Sequence, residues 1–239
     1  MNDDVATDAR RNHRAERRRR EVTLAGHRGD EGAARRGLAD GDPGVRAAAL
    51  GALARLGVLS TDDVVGALAD QAPEVRRRAV EVALDVKGKG SRSALPAALT
   101  AALGDPDPLV AVGAAWFVGE RRRVGAVPGL VALATQHDDT RCREAAVAAL
   151  GAIGDPAGLD AVLAALTDRP TVRRRATVAL AGFDDPRIEP ALRQAASDRD
   201  WQVRQAADEL LDAPPEDDDD PPPAGDDPRA GDAPLSRPE

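Results

Sequence analysis

Apolar and polar positions along this chain repeat on two scales, about four residues within a segment and about thirty between segments. A valine-like residue stands at Val45, Val75, Val110, Cys142, Val172 and Val203, at spacings of 30, 35, 32, 30 and 31 residues. Four residues after each comes an alanine: Ala49, Ala79, Ala114, Ala146, Ala176 and Ala207. With Leu53, Leu150, Leu180 and Leu211 the marks fall at i, i+4 and i+8, one stripe of a helix. The pattern predicts first helices near 43–56, 73–86, 107–119, 139–153, 170–182 and 200–212, each burying that stripe.

A second stripe follows in each unit, as in Leu95, Leu99 and Leu103, or Leu159, Leu163 and Leu166. It predicts second helices near 61–69, 92–103, 125–135, 156–167 and 186–197, with an incomplete unit and a helix near 30–40 before them. Gly154-Asp155-Pro156 between two helices joins a stop signal to a start signal. A single helical hairpin cannot cover its own apolar stripe, so the units must stack and complete one another's core. The expected fold is all-α, a right-handed α-solenoid. Alanine at the centre of each stripe lets neighbouring axes approach closely.

Arginine follows the valine-like residue at Arg46, Arg76, Arg143, Arg173 and Arg204, with Ala111 the exception. Aspartates stand four to six residues ahead of these positions, at Asp42, Asp70, Asp107, Asp139, Asp168 and Asp200, where a carboxylate suits a helix start. The pattern D-x-x-V-R…A…L-G…G-D-P resembles the HEAT repeats, in particular the short phycocyanobilin lyase HEAT-like type, over roughly residues 22–212. The resemblance implies that Asp and Arg form a structural ladder between successive units.

Composition supports a helical body, since the apolar content of 42% is almost all Ala, Leu and Val. With two Trp, two Phe and no Tyr, aromatic platforms for bases or sugars are nearly absent. Charge is concentrated at the ends. Residues 213–239 carry nine acids against Arg229 and Arg237, so most of the formal net charge of −8 resides there. This Pro-rich segment has no apolar stripe and is expected to be a disordered acidic tail. Residues 1–21, with Arg10, Arg11, Arg14 and Arg17–Arg20, read as a basic N-terminal arm that frays as a helix, ahead of a repeat domain over 22–212. No apolar run is long enough to span a bilayer and no signal peptide is evident, so a cytoplasmic protein without membrane contact is expected.

Candidate chemistry is sparse. His13, His27 and His137 make no metal-ligand spacing, and no metal or cofactor is expected. Deoxyhypusine hydroxylase, an enzyme of related architecture, holds iron through His-Glu pairs, and this chain has no His-Glu dipeptide. Cys142, the lone cysteine, replaces the core valine of its unit and reads as an inert packing residue in a reducing compartment. No residue is assigned a catalytic role.

The copies that break the pattern carry the binding signal. Where the fourth and fifth units turn with Gly-Asp-Pro and Asp-Asp-Pro, the second and third turns read VKGKGSRS and GERRRVG. These place Lys87, Lys89 and Arg92 beside Arg121, Arg122 and Arg123 on one edge, with the aspartates, Asp105 among them, on the opposite edge. Clustered guanidinium groups pair well with carboxylates. The expected function is a noncatalytic protein-interaction scaffold whose basic ridge docks an acidic segment of a protein partner or its own tail. A nucleic-acid-associated protein using the Arg arm and ridge is a less favoured alternative. An enzyme or maturation factor of the lyase or hydroxylase kind is implied only by the resemblance.

Overall fold

The computed structural model describes residues 2–86 and 94–212, with side chains described from residue 12 onward. Among the described residues there are thirteen α-helices and no strand. The first unit comprises α1 (Asn2–Arg28) and α2 (Glu31–Gly37), and the second α3 (Pro43–Leu56) and α4 (Thr61–Leu68). Next come α5 (Pro73–Val82) with α6 (Ala94–Ala101), α7 (Pro108–Glu120) with α8 (Val127–Gln136), and α9 (Thr140–Ile153) with α10 (Leu159–Ala165). The last are α11 (Pro170–Ala179) with α12 (Ile188–Ala195), then α13 (Trp201–Leu211).

Odd-numbered helices pack on one another in sequence from α1 to α13 and form one continuous row. Even-numbered helices form the second row, each also packed against the odd helix that follows. The stack is therefore the α-solenoid that the thirty-residue period predicts. The alanine stripe explains why the odd row closes up. Ala49, Ala79, Ala114, Ala146, Ala176 and Ala207 are completely buried, and so are the valine-like positions beside them. A methyl group leaves room for the next helix. In several places even that is absent: a Cβ on Gly151 would lie 2.6 Å from the Cβ of Ala179, and one on Gly119 would lie 3.0 Å from that of Ala149.

Helix ends follow local sequence. Asp42, Asp107, Asp139 and Asp200 cap α3, α7, α9 and α13 by accepting backbone N–H groups of the first turn. Helices α5 and α11 begin with Pro73 and Pro170 and have no side-chain cap. Both were expected to run further, and in both the next three residues tighten into a 3₁₀ turn, Ala83–Asp85 and Leu180–Gly182. Such tightening serves carbonyls that the α ladder leaves open. At the N-terminus α1 runs unbroken past residue 21, where the arm was expected to end, and buries Val22 and Ala25 against α3.

Candidate functional site

The odd helices are joined by ion pairs of constant geometry. Arg46 donates from Nε and Nη2 to Asp70 at 2.8 Å and 2.8 Å, while its Nη1 donates to the Asp40 carbonyl at 2.9 Å. The same three-point arrangement joins Arg76 to Asp105, Arg143 to Asp168 and Arg173 to Asp198. The guanidinium of each partner holds the carboxyls of Asp70, Asp168 and Asp198 below the ordinary range. Another rung precedes these: Arg18 donates to Asp40 at 2.8 Å and 3.0 Å. One member of the N-terminal arginine run thus belongs to the repeat.

Two kinds of aspartate lie behind the recurring Asp. Those at 42, 107, 139 and 200 cap helices, whereas those at 40, 70, 105, 168 and 198 accept the rung. The predicted acidic edge is consequently engaged in caps and ion pairs. One rung is missing, and both partners have changed. Ala111 stands where Arg would be, and His137 occupies the register of the acceptor, its Nδ1 taking the Asp139 N–H at 3.0 Å. Losing both together leaves no half-buried charge alone.

The exposed face of α5, α7, α9 and α11 forms a groove of about 990 Å³. Its floor is made of small residues, Gly113, Ala145, Ala148 and Ala149, from which Trp116 rises with 51% of its surface exposed. Along the odd row the register of Trp116 reads Gly51, Glu81, Trp116, Ala148, Val178 and Glu209, an apolar centre between acidic neighbours. Arg77, Arg141 and Arg175 stand at the rim, paired with Asp107, Asp139 and Glu144. The groove extends to Glu120, next to the basic turn.

In that turn Arg121, Arg122 and Arg123 are exposed, and among the described residues no carboxylate lies within ion-pair distance of them. Arg121 lies 5.7 Å from the centroid of the Phe117 ring. Arg122 has φ +44°, in the left-handed region. The same register, twelve residues past the valine-like position, holds Gly57 and Gly154 at φ +70° in two sister units. Arg122 and Arg123 line a cleft of about 640 Å³ with Pro96, Ala97, Thr100 and Ala101. Lys87, Lys89 and Arg92 lie outside the described residues, and so does the tail from residue 213.

A family model for HEAT repeats matches residues 95–181 and 159–220, together more than half of the chain. The chain belongs to the HEAT-repeat family. A search of curated proteins finds no match. Similar solved structures include an engineered protein, with 21% identity and TM-score 0.58, covering 76% of this chain and 97% of that one. Another is the complex of CpcE and CpcF of phycocyanin lyase from Nostoc sp. PCC7120, with 24% identity, TM-score 0.54 and 74% of each chain covered. A third is a designed armadillo repeat protein in complex with the peptide (KR)4, with 18% identity, TM-score 0.54, and 74% and 95% covered. At these identities the likeness is one of fold.

Within the HEAT stack Cys142 is fully buried, its thiol donating to the Pro108 carbonyl at 3.5 Å. Burial pushes the thiol up to about 11. His13 and His27 lie on the exposed side of α1, far in sequence from His137 between α8 and α9. Among the described residues no three His, Cys, Asp or Glu side chains form a group that could hold a metal ion, and no helix is long and apolar enough to cross a membrane. Sequence reading missed the groove because it counted aromatics instead of placing them. The signal was there: Trp116 lies six residues past Val110, off the buried stripe.

Proposed function

We propose that this HEAT protein is a noncatalytic scaffold that holds a segment of a partner protein along the groove of α5–α11 and against the adjoining basic turn. The observation that carries the reading is Trp116, half exposed on a floor of glycine and alanine. A large ring without a covering neighbour gains by burial under a partner side chain, and aromatic residues in such pockets dominate binding energy. The designed armadillo repeat protein of similar fold is in complex with a peptide, which supports a peptide-like ligand. Here the open charges differ: Arg121, Arg122 and Arg123 favour carboxylates at one end of the segment, with Lys87, Lys89 and Arg92 proposed to continue the ridge.

Arg122 supports the ridge independently. A side chain in the left-handed region costs roughly 1–2 kcal/mol, which the sister units avoid with glycine. Retaining arginine there makes sense where the guanidinium is used.

Affinity capture followed by mass spectrometry tests the proposal, comparing the native chain with Trp116→Ala, Trp201→Ala and the triple reversal of Arg121, Arg122 and Arg123 to Glu. The first and last are expected to lose a partner that the native chain and Trp201→Ala retain, with unchanged circular dichroism. Equal recovery by all four proteins would refute the reading. Recovery that rises when residues 213–239 are removed would show the tail competing for the ridge.

A further inference from the structure

Two exposed helix faces lie side by side in the groove, and each carries an apolar stripe at helical spacing. On α7 the stripe is Leu109, Val112, Gly113 and Trp116, at i, i+3, i+4 and i+7, with Leu109 44% and Trp116 51% exposed. On α9 it is Ala145, Ala148, Ala149 and Ala152, at the same intervals. Such spacing is the face that one helix presents to another lying along it. The core stripe through Val110 and Ala114 already packs α7 into the stack, so Leu109 and Trp116 are surplus to it. In the same register α5 is charged throughout, with Glu74, Arg77, Arg78 and Glu81. The apolar seat therefore runs along the helix axes rather than across the row, about 10 Å from Leu109 to Trp116 at 1.5 Å per residue.

We infer, on the basis of the proposed function, that the segment held in the groove is an amphipathic α-helix of about three turns, seated along the α7–α9 junction with its acidic end toward Arg121. Hydrogen bonding decides the conformation. An extended segment would lay a row of backbone N–H and C=O groups over these two stripes, where the Trp116 indole is the one side chain able to pair with any of them. A helix satisfies its own backbone and presents side chains alone. Size agrees. Neighbouring axes stand roughly 8–10 Å apart, and the small residues of α9 beside the tall Trp116 leave a trough for a helix body about 10 Å across. Charge gives the direction. Arg121 follows Glu120 at the C-terminal end of α7, and carboxylates suit the first turn of a helix, so the bound helix runs antiparallel to α7. Its apolar residues then meet Trp116 first and Leu109 last.

A random fifteen-residue peptide library displayed on phage is selected on the full chain, with Trp116→Ala as the counter-selection. Peptides whose enrichment depends on Trp116 are expected to carry apolar residues at i, i+3, i+4 and i+7, with Asp or Glu ahead of the first. Binding of the most enriched peptide is then read from the emission of Trp116 in the Trp201→Phe chain, where it is the only tryptophan, and burial of the ring shifts that emission to shorter wavelength. Proline at a solvent-facing position in the middle of the peptide is expected to weaken binding more than about tenfold, and alanine at the same position less than about threefold. Trp116-dependent peptides that alternate apolar and polar residues, or that tolerate the proline, would overturn the helix while leaving the groove as the binding site. A helical pattern with its acids at the C-terminal end would overturn the direction. Absence of any peptide that depends on Trp116 would remove the helix and the proposed function together.

Discussion

Replacing Arg173 with alanine measures what a single rung contributes. Arg173 is 5% exposed and makes three charge-assisted hydrogen bonds, two to the Asp198 carboxylate at 2.7 Å and 2.8 Å and one to the Asp168 carbonyl at 2.9 Å. Without it, Asp198 keeps the N–H of Asp200 at 2.8 Å, too little for a charge that is largely withdrawn from water. Breaking a fully buried pair costs about 3–5 kcal/mol, and the Asp198 side chain, 16% exposed, is partly screened. The expected loss is therefore about 2–4 kcal/mol, a midpoint lower by roughly 5–12 °C for a chain of this length. Thermal denaturation followed by circular dichroism gives the shift. Arg173→Met separates lost charge from lost packing, because it retains most of the apolar stem. The comparison that decides is Arg141→Ala, whose pair with Asp139 lies on the surface and should leave the midpoint in place. A loss for Arg173→Ala no larger than for Arg141→Ala would refute the assignment of inter-unit stability to the ladder.

Four further outcomes follow from the packing and the charges. Gly151→Ala, whose new methyl would meet Ala179, should destabilise by about 1–3 kcal/mol, whereas Gly66→Ala in the open interior of α4 should stabilise by about 0.5–1 kcal/mol; denaturant titration distinguishes them. Arg122→Gly should raise stability by about 1 kcal/mol while weakening capture of any partner that needs the ridge, and a stability gain without loss of partner would detach the strain from binding. The depressed carboxyls of Asp70, Asp168 and Asp198 make the unfolded chain bind more protons below about pH 4, so their contribution, complete above that pH, should decline as pH falls through the folded-state values, as acid titration of the midpoint would reveal. Cys142 should resist thiol-specific reagents at neutral pH in the native protein and react promptly once denaturant is added.

The architecture was legible because the stripe of Val, Ala and Leu is both the sequence signal and the physical cause of stacking. Each of the six alanines had to be small and buried for the period to make sense, and each is. The ladder was legible in outline, since Arg46, Arg76, Arg143 and Arg173 keep a fixed place beside the core valine. Its details were not. Asp40 and Asp42 sit two residues apart and do different work, and only the direction of each side chain separates acceptor from cap. Arg18 was hidden because α1 lacks the repeat signature: Arg17 and Glu21 stand where the core valine and alanine would be, and Val22 and Ala25 are buried instead. The groove needed the odd helices placed side by side, because its floor comes from residues roughly thirty positions apart. Arg122 could be read as a charge in a turn, but its left-handed backbone emerges only beside Gly57 and Gly154.

The gap left by Ala111 and His137 divides the charge ladder in two, at a junction where α7 and α9 meet through Gly119 and Ala149. Among the described residues no arginine–aspartate rung crosses that junction. Acid or concentrated salt therefore loosens the flanking blocks and spares the centre, so the molecule should come apart from its ends inward, with α7 and α9 the last helices still in register.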